Sequence, residues 1–330
     1  MTTAVRRSAR SAGPSSSRRG RRVRFVTGTA LLAGTVLASG VGGCSGGGDG
    51  EGARAAEAPV RALPAEGAVS FDVIGDTAVI LAGPENARIL FVPLRGSGGA
   101  VRTVELGPWA RHAGEVRAMG DRLYLSVPGA GVAVLDPDGV LRREDEIRRP
   151  VPAGFVPGPD GRVYFRASTF EQFAVESAGP RMQSTRPFAR SAPVEAPAVS
   201  RARSGPGLHP NLLVEGGGRL ILFSNRSGMI RTFAPDGSPL ASFGLPPDLL
   251  SRAVPQTRSA IGQPGRPLAS GLHRGCDGEV ILTLADREAT VVRIFPDESR
   301  VEVVGFAGRR ARGGPPRIAT LCGGVIWWFA

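Results

Sequence analysis

The feature that most constrains this chain is a Gly/Asp turn feeding an apolar run, repeated six times. The copies are IGDTAVILAG (74–83), MGDRLYLSVP (119–128), PDGRVYFRAS (159–168), GGGRLILFSN (216–225), CDGEVILTLA (276–285) and CGGVIWWFA (322–330). Each is a hairpin signal. The equivalent positions Thr77, Arg122, Arg162, Arg219 and Glu279 lie 45, 40, 57 and 60 residues apart. A second landmark keeps phase with the first. Pro93, Pro137, Pro180, Pro235 and Pro296 follow those positions by 16, 15, 18, 16 and 17 residues, where proline presets the backbone of a turn that ends a third strand. Helical periodicity is confined to PPDLLSR (246–252).

A base period of 40 to 45 residues is the length of one four-stranded blade in a radial all-β array. The two longer gaps contain Pro/Ser/Arg-rich inserts at 187–207 and 245–268. The unit resembles the NHL-type and related six-bladed β-propeller family, most closely in GGGRLILFSNRSGMIRTFAPDGSPLASFG (216–244). Where that family commonly carries Asp after the second strand, this chain has Ser126, Ser168 or Asn225. The resemblance implies an all-β six-bladed propeller over residues 67–330, with five whole blades and a sixth that stops after two strands. An uncovered apolar strand at the chain end is an aggregation edge, so residues 54–64 (RAAEAPVRALP) are expected to cross over and help complete blade six. Trp327 and Trp328 are expected to pack between blades.

Upstream of the repeat, the chain carries an address. Eight of its 41 arginines fall within residues 1–24, leaving 33 against 29 acids in the rest. Most of the basicity therefore belongs to a leader, and the scattered remainder argues against a nucleic-acid partner. An apolar run, FVTGTALLAGTVLASGV (25–41), follows the arginines and ends in small residues, the layout of an export signal. Val41-Gly42-Gly43-Cys44 resembles a bacterial lipobox, which implies cleavage before Cys44 and lipidation of its thiol. Residues 1–43 read as a lipoprotein signal peptide and 44–66 as a flexible Gly/Ala tether. The body is expected to be a monomer on the outer face of the cytoplasmic membrane or on an outer membrane. Arg21-Arg22 leaves export folded or unfolded open.

Candidate sites are few. His112 and His209 each lie ten residues before a repeat position and His273 lies six before Glu279. All three thus fall near the start of an innermost strand, where three imidazoles and an open position suit zinc. The resemblance to propeller lyases, which use three histidines on zinc, adds to that reading. Their motifs do not recur around these histidines, and no carboxylate is assigned to catalysis. A lactonase-type calcium site needs a Glu/Asn/Asp set, for which Asn225 is the one nominee. Cys276 and Cys322 stand 46 residues apart at equivalent turns. An exported pair invites a disulfide joining blades five and six, provided their Cα atoms approach within about 7 Å; free thiols are the alternative. The reading favours a binding module for an envelope protein, peptide or glycan, with a metal-dependent propeller hydrolase or lyase as the alternative.

Overall fold

The computed structural model describes residues 58–63, 67–82, 88–96, 99–127, 129–152, 154–166, 173–180, 184–190, 211–225, 227–253, 267–309 and 318–329. The leader, Cys44, His209, Ser168 and most of both inserts lie outside the described residues. No helix among the described residues is long and apolar enough to cross a membrane.

The chain opens with β1 (Val60–Ala62) and then builds blade one from β2 (Ala68–Ile74), β3 (Thr77–Ala82), β4 (Arg88–Pro93) and β5 (Arg102–Glu105). Blade two contains β6 (Glu115–Met119), β7 (Arg122–Val127) and β8 (Gly131–Leu135). Blade three contains β9 (Val156–Pro157), β10 (Val163–Arg166), β11 (Phe173–Ala178) and β12 (Arg186–Arg190). Blade four runs through β13 (Asn211–Val214), β14 (Leu220–Phe223), β15 (Met229–Phe233) and β16 (Pro239–Gly244), followed by helix α1 (Pro247–Ala253). Blade five is β17 (Ala269–Arg274), β18 (Val280–Leu284), β19 (Thr290–Phe295) and β20 (Arg300–Phe306). In blade six, β21 (Ile318–Cys322) pairs with β22 (Val325–Phe329), whose other edge pairs with β1.

The first strand of each blade lies against the next: β2 on β6, β6 on β9, β9 on β13, β13 on β17 and β17 on β21. The six sheets form a ring with those strands innermost, a six-bladed β-propeller. Burial explains the sequence pattern. Inner strands are covered on both sides by neighbouring blades, so TAVILA and LILF are apolar almost throughout, whereas outer strands alternate, as in β16. The core is a series of layers between blades. Val79, Leu81 and Ile89 meet Val116, Leu123 and Leu125 between blades one and two, and Leu213, Ile221 and Phe223 meet Leu272, Leu282 and Val292 between blades four and five.

Two departures from the repeat are informative. Blade two has no regular fourth strand; its outer edge is covered by isolated bridges from Leu141 to Leu135 and from Ile147 to Val132. The covering chain approaches so closely that a Cβ on Gly131 would lie 1.9 Å from the Ile147 carbonyl oxygen. The charged stretch RREDEIRR supplies that cover in place of an alternating strand. The first insert also begins later than the sequence indicates, because Arg186–Arg190 is strand β12 and not loop.

Ring closure has a geometric explanation. β1 pairs with β22 in parallel, Val60 facing Ile326 and Ala62 facing Trp328. A third strand normally runs antiparallel to the second. β1 instead must deliver the chain to the start of β2, at the end where fourth strands finish, so it takes a fourth strand's direction in the third strand's place. The Ile326 N–H donates to the Pro59 carbonyl and the Leu63 N–H to that of Trp328, both at 2.8 Å. Trp327 is buried with Leu63 and Phe71 between blades six and one, and Trp328 packs on the layer between blades five and six.

Candidate functional site

The innermost strands carry ionisable groups that the apolar pattern does not announce. In β6, Glu115 and Arg117 lie two apart in EVRAM and pair at 2.7 Å. The other Glu115 oxygen accepts the Gly154 N–H at 2.8 Å, tying blade two to blade three. Asp72 of β2 is buried and accepts the N–H groups of Val73 at 2.9 Å and Ala118 at 2.8 Å, tying blade one to blade two. Burial works against the charge on Arg117, but Glu115 and Asp72 outweigh it and hold the guanidinium protonated. These groups staple blades near the axis, where a buried carboxylate needs hydrogen-bond donors.

His273, on β17, joins this region from the other side of the ring. Its ring is 4% exposed and stacks on Phe71 of β2, with centroids 4.5 Å apart and planes 17° from parallel. Blades one and five thus touch inside blade six. Burial, and secondarily the charge of Arg117, presses the His273 pKa well below the ordinary histidine value, so the imidazole is neutral at pH 7. The ring lies over Gly271, where a Cβ would sit 2.6 Å from Nε2 and 2.8 Å from Ile318 Cγ2. Gly271→Ala is therefore expected to overpack the axis and cost about 1–3 kcal/mol, read as a fall in the urea midpoint with an unchanged m-value.

The other sequence-derived site residues have separate settings. His112 is exposed in the connection between blades one and two, with φ at 68°. Among the described residues, neither His112 nor His273 belongs to a group of three potential metal ligands. Asn225 is buried and its Oδ1 accepts the Ala269 N–H at 2.9 Å, a bridge from blade four to blade five. Cys276 and Cys322 are bonded to each other with Cα atoms 4.9 Å apart. Asp76 lies beside them, but sulfurs bonded to each other are not the thiolates a metal requires.

Two faces follow from the strand directions. First-to-second-strand turns line one end of the ring; connections from the outermost strand of one blade to the innermost of the next line the other. At the latter, a short 3₁₀ turn (Pro108–Ala110) presents Trp109, which is 39% exposed. The Cδ1–Nε1 edge of its indole comes close to Gly107, where a Cβ would sit 2.9 Å from Cδ1. Arg111 and His112, next along the chain, are also exposed. Helix α1 sits at the corresponding connection of blades four and five, burying Leu249 and Ala253. Sequence reading passed over Trp109, Asp72, Glu115 and Arg117. The signal available was local: charges two apart in an otherwise apolar inner strand, and an aromatic inside GPWARHAG.

Compared with protein-family models and with curated proteins, the sequence matches none. Solved structures similar to it include a virginiamycin B lyase from Staphylococcus aureus crystallised with quinupristin, at 14% identity and TM-score 0.44, covering 78% of this chain and 74% of that one. A calcium-binding protein, regucalcin, from Agrobacterium tumefaciens matches at 13% identity and TM-score 0.42, over 81% and 80% of the two chains. A chain of a nidogen/laminin complex matches at 12% identity and TM-score 0.46, over 80% and 86%.

Proposed function

We propose that this protein is a lipid-anchored, extracytoplasmic binding module. It engages an envelope protein, peptide or glycan through the propeller face that carries the blade-to-blade connections, without chemistry of its own. The observation that carries this reading is Trp109. A large aromatic left well exposed on a short turn, with its Cδ1–Nε1 edge close against Gly107, offers a broad apolar contact surface with few rotatable bonds. Arg111 and His112 beside it supply polar contacts. Loops on a rigid scaffold are where recognition concentrates. Cys44, with its signal-like leader and Gly-rich tether, supports a lipid-attached position outside the cytoplasm.

The test has two arms. Full-length protein carrying Trp109→Ala and Arg111→Ala is expected to retain its melting temperature and to lose at least tenfold of its capture of partners from solubilised envelope or of its signal on a glycan array. Undiminished binding by the folded double variant would move the working surface elsewhere. Mass spectrometry of the mature N-terminus is expected to find diacylglyceryl-modified Cys44; a mature chain beginning upstream of it overturns the anchoring.

A further inference from the structure

At the opposite end of the ring, the first hairpin turns of blades one, two and five line a half-open cavity of about 220 Å³. That is room for several waters, for a small ligand or for the last residue of a chain. Its walls are aliphatic on one side, from Val73, Ile74, Ala118 and Met119, and glycine backbone on the other. Arg274 is the only charged side chain among the described residues that line it.

Among the described residues, the charge of Arg274 has no counter-ion. No carboxylate among the described residues pairs with it, and its hydrogen bonds go to the Val214 carbonyl and, at 3.8 Å, to Met119 Sδ. Its Nε is buried without a partner. Acids near it in the chain are engaged elsewhere: Asp277 with Arg95 and Glu279 with Arg293. A partly buried guanidinium is ordinarily paired, and planar carboxylates match its donor fork. The geometry points to a second site: we infer that this cavity takes the carboxylate of a small aliphatic acid or of a peptide chain end, with Arg274 as counter-ion. Val73, Ile74 and Met119 contact its aliphatic part. The site is independent of the Trp109 face and stands or falls without it.

Calorimetric titration of the disulfide-bonded protein with N-acetylalanine at fixed chloride is expected to show saturable 1:1 binding, with N-acetylalanine amide at least tenfold weaker. Acetyl-Gly-Gly-Ala and its amide form the second arm. Tighter binding of the free tripeptide assigns the site to chain ends, and equal binding assigns it to small acids. Arg274→Met is expected to weaken the acid at least tenfold and leave the amide unchanged. Because Arg274 also holds Val214, Ile74→Trp, which enlarges a side chain that lines the cavity, provides an independent variant with the same expected loss. No saturable binding to the wild-type protein, equal affinity for acid and amide, or full affinity in a folded Arg274→Met protein would overturn the proposal.

Discussion

Replacing Cys276 and Cys322 together by alanine is expected to lower the unfolding free energy by roughly 2–4 kcal/mol. The bridge spans 46 residues of sequence, and cross-linking a loop of that length restricts the unfolded chain by about 4 kcal/mol in the chain-entropy account. Blade six depends on it more than others would. It has two five-residue strands and the three residues of β1, and an isolated hairpin is marginal in water. Its remaining clasps are modest. Arg95 pairs with Asp76 and Asp277, joining blade one to blade five across the turn of blade six, but these side chains are 41–54% exposed and such pairs contribute little. The Cys276 N–H donates to the Leu321 carbonyl at 3.0 Å. Urea denaturation should show the midpoint falling in the double variant and, equally, in wild type under a dithiol reductant. Hydrogen exchange should rise first over residues 318–329. A midpoint that stays fixed in both would assign closure to β1 and the apolar layers alone.

The second large effect is acid sensitivity centred on His273. An unfolded chain protonates this histidine near pH 6.5, whereas the folded protein keeps it neutral, because burial foremost and Arg117 next press its pKa well down. Between those two values the unfolded state binds one proton more than the native state. The His273 contribution to stability is thus intact above about pH 7 and is lost progressively as the pH falls below 6.5, down to the native pKa. Its limiting slope is about 1.4 kcal/mol per pH unit. His273→Phe keeps a ring on Phe71 and removes the titrating site, so its stability should vary less between pH 7 and pH 5 than that of wild type. Superimposable pH profiles would show that His273 is charged or solvated in the fold.

What could be read in advance, and what could not, separates cleanly by range along the chain. Turn chemistry and apolar run length are local. Gly and Pro positions therefore marked the hairpins, and PPDLLSR marked the one α-helix among the described residues, Pro247–Ala253. The need to cover an apolar end strand pointed to residues 54–64, and β1 lies there. Its parallel sense followed only from the requirement to reach β2. Blade two's missing strand was hidden for a related reason: Leu141 and Ile147 bridge to β8 through a charged loop that has no strand pattern of its own.

By itself the sequence determined the module: a hairpin-rich sheet, apolar on both faces at its inner strands, that must stack on copies of itself around an axis. Tertiary structure alone decided what those copies bring together. Phe71 meets His273 across 202 positions of chain, Asp72 reaches Ala118, and Arg274 stands at a cavity with no acid among the described residues paired to it. Strand propensity is set by neighbours in sequence, whereas the protonation of a histidine or the pairing of a guanidinium is set by burial and by charges that only the closed ring places within reach.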